Sequence, residues 1–233
     1  MSDTSLFLHE EVMLLALRDQ KGTVYAGSMY QFAIGGAVIS ELLLNNRLSI
    51  EERRFRKLVD VVNASPLGDP LLDETLQKIR LAKRRASLEN WVSRIANIRK
   101  LKHRVVERLC WRGILREDVG KVLLIFKRKI YPELNPAPER AMLSRLENAI
   151  FTDTSDIDPR TIVLLSLAHS SDLLKMSFDK KHLKERKKRI KQLISGEIVG
   201  AATREAIAAM QAGMTVAAIM PAIIASTTVS SSS

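Results

Sequence analysis

His169, Ser170, Ser171 and Asp172 follow one another in the stretch PRTIVLLSLAHSSDLLK, Pro159 to Lys175, and bring together the base, nucleophile and acid of a hydrolase. Such a set works only when three side chains converge from different directions. Neighbours on a helix point about 100° apart, so consecutive residues do not converge by themselves. No G-x-S-x-G elbow precedes either serine. The stretch therefore reads as a break between two apolar helices, with Ser170 or Ser171 capping the second and His169 hydrogen-bonded inside the protein. No enzymatic role is expected. The glycine pair in "IGGA", Ile34 to Ala37, is too short for a phosphate-loop signature and reads as close helix packing.

A second chemistry lies in the cations. The chain has 233 residues and a net charge of +11. Residues 51–130 hold 21 basic and 10 acidic groups, whereas the first 50 are net acidic. A basic surface confined to one segment attracts a polyanion, either phosphorylated lipid head groups or nucleic acid. A lone cysteine, Cys110, and four scattered histidines leave no disulfide and no spacing for a metal. Neither metal nor cofactor is expected, and a reducing compartment is. The N-terminus carries early glutamates in place of a basic leader, so no signal peptide is read there.

The elements that must position these cations are mainly helical. Residues 6–17, LFLHEEVMLLAL, read as a core-facing helix with Glu10 and Glu11 on its outer side. RDQKG makes a turn that stops at Gly22, and TVYAGSMYQF is loop or short strand. Ala33–Asn46 reads as a buried helix, followed by strands RLSI and KLVDVV around a charged turn. LLDETLQKIRLAK is a further helix. Trp91–Gly113 reads as one long helix with the apolar stripe Trp91, Ile95, Ile98, Val105 and Leu109, and ILRED and VGKVLLIFKRKIYP as strands after it. RAMLSRLENAIF, the Pro159 segment and a highly basic helix in SFDKKHLKERKKRIKQLIS complete the core, the last packing along one edge only. The expected fold is mainly α: a single compact multi-helix domain over residues 1–220, short β-hairpins at its periphery, and an apolar, Ser-rich tail over 221–233. The uncharged run AIAAMQAGMTVAAIMPAIIAS, residues 206–226, is close to the roughly 20 residues of a membrane span, but its Ala, Gln211, Gly213 and Pro221 favour a helix packed into the domain with a frayed apolar end, an amphipathic or partly inserted membrane contact being the alternative.

LFLHEEVMLLALRDQKG, SELLLNNRL, PLLDETL, the segment ending RGIL and above all PRTIVLLSLAHSSDLL stand in an order that resembles the Golgi phosphoprotein 3 family. The resemblance runs from about Leu6 to about Ala218. It implies a helical peripheral membrane protein that binds phosphatidylinositol 4-phosphate in a shallow basic pocket, on the cytosolic face of the Golgi in eukaryotes, where members also hold the cytosolic tails of membrane enzymes. By the same resemblance, LAHSSDLL belongs to the helical core.

Residue by residue, the family's two basic pocket residues, one turn apart on the long helix, fall on Arg99 and Lys102, three apart and so on one helix face. The family's pocket Trp falls near Ala26, with Tyr25 beside it, and its pocket Arg falls on Gly35. Two of four pocket residues are thus replaced, which points to a divergent member, bacterial or eukaryotic. The bare backbone of Gly35 and Gly36 at a helix start is expected to approach the phosphate in compensation. Arg53, Arg54, Arg84 and Arg85 are expected to add positive surface. Tyr25 and the hairpin near Phe126 and Ile130 are expected to touch acyl chains. The family's hairpin, which KVLLIFKRKIYPEL matches, is involved in self-association, so the resemblance also implies a homo-oligomer.

The alternative is a winged-helix-like DNA-binding protein. Helix, basic turn and hairpin occur twice, and Ile95–Leu109 would be the recognition helix, presenting Arg99, Lys102, His103 and Arg104. That helix also carries a stripe that must pack, so nucleic acid ranks second to anionic lipid.

Overall fold

The first helix, α1 (Leu8–Ala16), is buried along its whole length, carboxylates included. In the computed structural model, which describes residues 5–18, 23–24, 29–53, 56–122 and 126–196, it is the central element of a mainly helical fold. Helix α2 (Met29–Leu44) runs beside it. Around this pair lie α3 (Pro70–Arg80), α4 (Leu88–Ala96), α5 (Leu101–Trp111), α6 (Ala137–Phe151) and α7 (Pro159–Ser170). Three short helices close the described chain: α8 (Leu174–Ser177), α9 (Lys180–Glu185) and α10 (Lys187–Ser195).

Three two-stranded antiparallel ribbons sit among the helices. They are β1 (Leu17–Arg18) with β2 (Thr23–Val24), β3 (Leu48–Arg53) with β4 (Arg56–Val61), and β5 (Asp118–Val122) with β6 (Phe126–Ile130). The second pairs Leu48 with Val61 through to Arg53 with Arg56; the third pairs Asp118 with Ile130. The second hairpin lies where the sequence pattern places it. The third does not begin at ILRED: Leu115 makes only an isolated bridge to Glu133, and the first strand starts at Asp118.

Local chemistry sets the helix ends. Asp69 caps α3, its Oδ1 accepting the Leu71 and Leu72 N–H groups at 3.0 Å each, with Pro70 in the first turn. Asp158 caps α7 ahead of Pro159, and Asp179 caps α9. Lys100, with φ of 58°, stands between α4 and α5.

Two sequence expectations fail here for the same reason. Glu10 and Glu11 do not face outward; both are buried, and they pair with Arg112 and Arg145, more than a hundred residues away in the chain. The Trp91–Gly113 helix is two helices, although its stripe does pack: Trp91, Ile95, Val105 and Leu109 are buried. In both cases distant or backbone-level interactions override an apolar period. The turn ending at Gly22, the boundary at residue 220 and the uncharged tail lie outside the described residues. Among the described residues no helix is long and apolar enough to cross a membrane.

Candidate anion-binding site

The corner between α4 and α5 carries Arg99 and Lys102. Ser87 caps the start of α4 through its Oγ, and at the far end the Asn97 side-chain amide donates to the Ser93 carbonyl at 2.8 Å. That bond competes with continuation of the helix. The chain turns through Ile98–Lys100, the Leu101 N–H bonds to the Ile98 carbonyl at 3.0 Å, and α5 starts from Lys100 in the left-handed region. Leu101 is buried beneath the corner, and so fixes where the second helix begins.

Arg99 and Lys102 therefore do not share a face of one helix. They flank the N-terminus of α5 instead. Arg99 is exposed in the turn, with no carboxylate paired to it among the described residues. Lys102 sits in the first turn, half-buried, its ammonium 5.6 Å from the centre of the Tyr131 ring. His103 Nδ1 is 3.1 Å from the same tyrosine's hydroxyl. The α5 terminus has no side-chain cap and no acidic residue in its first turn. A helix start of this kind presents unsatisfied N–H groups and about half a positive charge. Two cations beside it add to the same field. The physical complement is a compact anion such as a phosphate. Tyr131 was not visible as part of this corner in the sequence, because only folding brings β6 back to α5.

The glycines belong elsewhere. Gly35 and Gly36 are buried in the interior of α2, six and seven residues past its start, and open no backbone to a ligand. A Cβ on Gly35 would lie 2.6 Å from the Val92 carbonyl oxygen of α4, and one on Gly36 would lie 2.8 Å from Leu167 Cδ2 of α7. Their role is close packing, which seats α4 and α7 on α2. The family's pocket arginine has no room at Gly35. Tyr25 and Ala26 lie outside the described residues. Arg84 is exposed; Arg85 is paired with Glu51 and, at 2.7 Å, with Asp60. Ile130 is half-buried on β6, and Phe126 lies at the start of that strand with its side chain outside the described set.

The recognition-helix alternative loses its helix at the α4–α5 break. Arg104 is moreover engaged by Glu74, and His103 by Tyr131. The His169 cluster does not form a triad either. Ser171 ends α7 and its Oγ donates back to the Leu167 carbonyl at 2.6 Å, while Asp172 pairs with Lys175 at 2.6 Å. Neither serine caps α8, and His169 faces outward rather than into the protein. The helix break itself is present, with Asp172 at φ of 61°. Among the described residues no three His, Cys, Asp or Glu side chains gather as metal ligands.

The segments that carry the family resemblance meet around one buried carboxylate. Glu41, in SELLLNNRL, accepts both guanidinium nitrogens of Arg160, from PRTIVLL, at 2.8 Å each, and the Leu8 N–H, from LFLHEEV, at 2.7 Å. The sequence profile of the Golgi phosphoprotein 3 (GPP34) family matches residues 8–210. Vacuolar protein sorting-associated protein 74 of Eremothecium gossypii is 23% identical over 204 residues, covering 74% of this chain and 61% of that protein, so the chain spans about three-fifths of that relative's length. With its diagnostic segments joined in one buried cluster and the profile running through nearly all of the described fold, the chain belongs to the Golgi phosphoprotein 3 (GPP34) family.

Proposed function

We propose that this protein is a peripheral membrane adaptor that recognises the phosphomonoester of a phosphoinositide head group, phosphatidylinositol 4-phosphate or a similar anionic lipid, and serves membrane trafficking without catalysing a reaction. The observation that carries the reading is the start of α5: uncapped, free of acid in its first turn, and flanked by Arg99 and Lys102. Family membership and the sorting role named in the Eremothecium relative support the trafficking half of it. Arg99 would pair the phosphate through its fork, Lys102 would add a point charge, and the helix N–H groups would fill the remaining oxygens. The family resemblance extends the reading to attachment at the cytosolic face of the Golgi in a eukaryote, to the cytosolic tails of membrane enzymes as cargo, and to a homo-oligomer built on the β5–β6 hairpin.

Sedimentation with vesicles of phosphatidylcholine doped with phosphatidylinositol 4-phosphate, cardiolipin or phosphatidylserine tests it. A charge-assisted phosphate contact contributes about 1.5–3 kcal/mol. Removing both side chains, as Arg99→Ala with Lys102→Ala, should therefore weaken phosphoinositide binding by ~100-fold or more. Unchanged binding by the double variant would remove this corner from the function. Equal binding to duplex DNA of matched charge would remove the lipid preference.

A further inference from the structure

Helices α7, α8, α9 and α10 enclose a groove of about 430 Å³ that no part of the reading above uses. Its floor is apolar, made by Leu174, Leu183 and Ile190. Its rim holds Lys175, Lys180, Lys184 and Lys187. From Lys180 to Lys191 the chain carries eight Lys or Arg against one acid, Glu185, a density hidden when charge is averaged over the last hundred residues.

The acid that lines the groove, Asp172, is already engaged, and so is Asp179 at the start of α9. Asp172 pairs with Lys175 at 2.6 Å, and Asp179 Oδ1 accepts the Lys181 and His182 N–H groups that open α9. Lys180, Lys184 and Lys187 have no carboxylate partner among the described residues. Their placement is also unfavourable within their own helices. Lys180 and Lys184 stand at i and i+4 on α9, a like-charge spacing, and Lys187 opens α10, where the helix dipole is already positive. His169, exposed on the same rim, holds its proton less tightly than an ordinary histidine; partial loss of hydration against the protein surface is the main cause, and Lys175, Lys187 and Lys191 add to it against Asp172. An external anion relieves all three lysines at once.

The shape selects among anions. Leu174 and Ile190 are buried and Leu183 half-buried, so the apolar surface is recessed below the ammonium groups. A bilayer needs apolar side chains that protrude. A recessed floor instead receives a side chain from a partner. Lysines on flexible stems suit carboxylates at variable positions better than one fixed bidentate contact. The volume is within the range of sites that enclose one compact group. We propose that this groove docks a short acidic segment of a partner protein, inserting one large apolar side chain between flanking carboxylates.

The full chain is titrated, by fluorescence anisotropy, into labelled peptides Glu-Glu-Asp-X-Asp-Glu-Glu with X as Leu, Phe, Trp or Ser. Saturable binding is expected for the three apolar peptides and about tenfold weaker binding for X as Ser, the side chain's burial being lost. Lys184→Glu with Lys187→Glu, both exposed and with folding checked by a thermal melt, should weaken binding at least ~tenfold. Arg99→Ala with Lys102→Ala should leave it unchanged. No saturation by any peptide up to about 1 mM, affinity indifferent to X, or full binding by the charge-reversed variant would each overturn the proposal. So would loss of anionic-vesicle binding in that variant with no peptide bound, which would give the face to a membrane instead.

Discussion

Arg160 and Glu41, 119 residues apart in the chain, form a two-pronged ion pair at 2.8 Å on each prong, with the carboxylate almost wholly buried. Arg160 also donates to the Leu6 carbonyl at 2.6 Å, so one guanidinium ties α7 to α2 and to the lead-in of α1. Glu41 in turn holds the Leu8 N–H and the Asn45 side chain. Arg160→Ala would leave that carboxylate buried with its strongest partner gone. Breaking a buried pair from one side typically costs 3–5 kcal/mol. The variant is expected to lose about that much in urea unfolding, while Arg160→Lys, which keeps charge but not the fork, loses less. A loss under about 1 kcal/mol for Arg160→Ala would mean that the cluster does not join these helices.

Gly35 and Gly36 are expected to separate under alanine substitution. Alanine normally gains roughly 1 kcal/mol over glycine inside a helix. At Gly35 the new Cβ would meet the Val92 carbonyl oxygen at 2.6 Å, a backbone atom that cannot rotate away. Overpacking of this kind costs about 1–3 kcal/mol and outweighs the gain. At Gly36 the obstacle is the end of the Leu167 side chain, which can change rotamer. Thermal melts should place Gly35→Ala below both the wild type and Gly36→Ala. The reverse order would mean that α2 and α4 are not in such close contact.

These two sites also show what the sequence could reveal. The period of apolar residues placed α1, α2, α3 and α7 within a few residues of where they lie, and the pairing of β3 with β4. Capping aspartates before proline marked the start of α7. What stayed hidden is non-local. Glu10, Glu11 and Glu41 look like surface carboxylates until arginines from α7 and beyond α5 arrive to neutralise them. The α4–α5 break is hidden for the opposite reason: Ile95, Ile98, Leu101 and Val105 keep a helical spacing straight through it. Hence Arg99 and Lys102 were legible as a pair of cations, but their arrangement about a helix start was not. The groove lysines were legible as a charge run and not as the rim of a groove, since its floor comes from three helices.

Asp69 gives the fold a defined acid sensitivity. Burial alone would raise its pKa; the hydrogen bond and charge of His9, with the Leu72 and Leu71 N–H donors, outweigh burial and hold it below the ordinary carboxylate value. The unfolded chain therefore binds the proton more readily. The contribution of Asp69 to stability is complete above the ordinary value, near 3.9, and is lost as pH falls through the depressed folded value. Asn in its place still caps α3 but carries no charge. The gap in urea midpoint between the wild type and Asp69→Asn should shrink as pH drops from about 5 to below about 4. A gap that widens in acid would reverse the sign assigned here.

Lys100 decides whether the candidate site exists as described, because it stands at the break that exposes the α5 terminus. Its φ of 58° is strained for any residue with a Cβ. Lys100→Gly should relieve about 1 kcal/mol of that strain and raise the melting temperature, whereas Lys100→Val, with a branched Cβ, should lower it. A continuous helix through this point predicts the opposite order, since glycine then costs about 1 kcal/mol and valine little more than half of that. The two variants also leave Arg99 and Lys102 in place. Vesicle sedimentation should accordingly show Lys100→Gly binding phosphoinositide within about fivefold of the wild type, the loss being one nearby charge of about 1 kcal/mol. A gain in stability with binding kept would show that the helix start, and not the Lys100 side chain, forms the cradle.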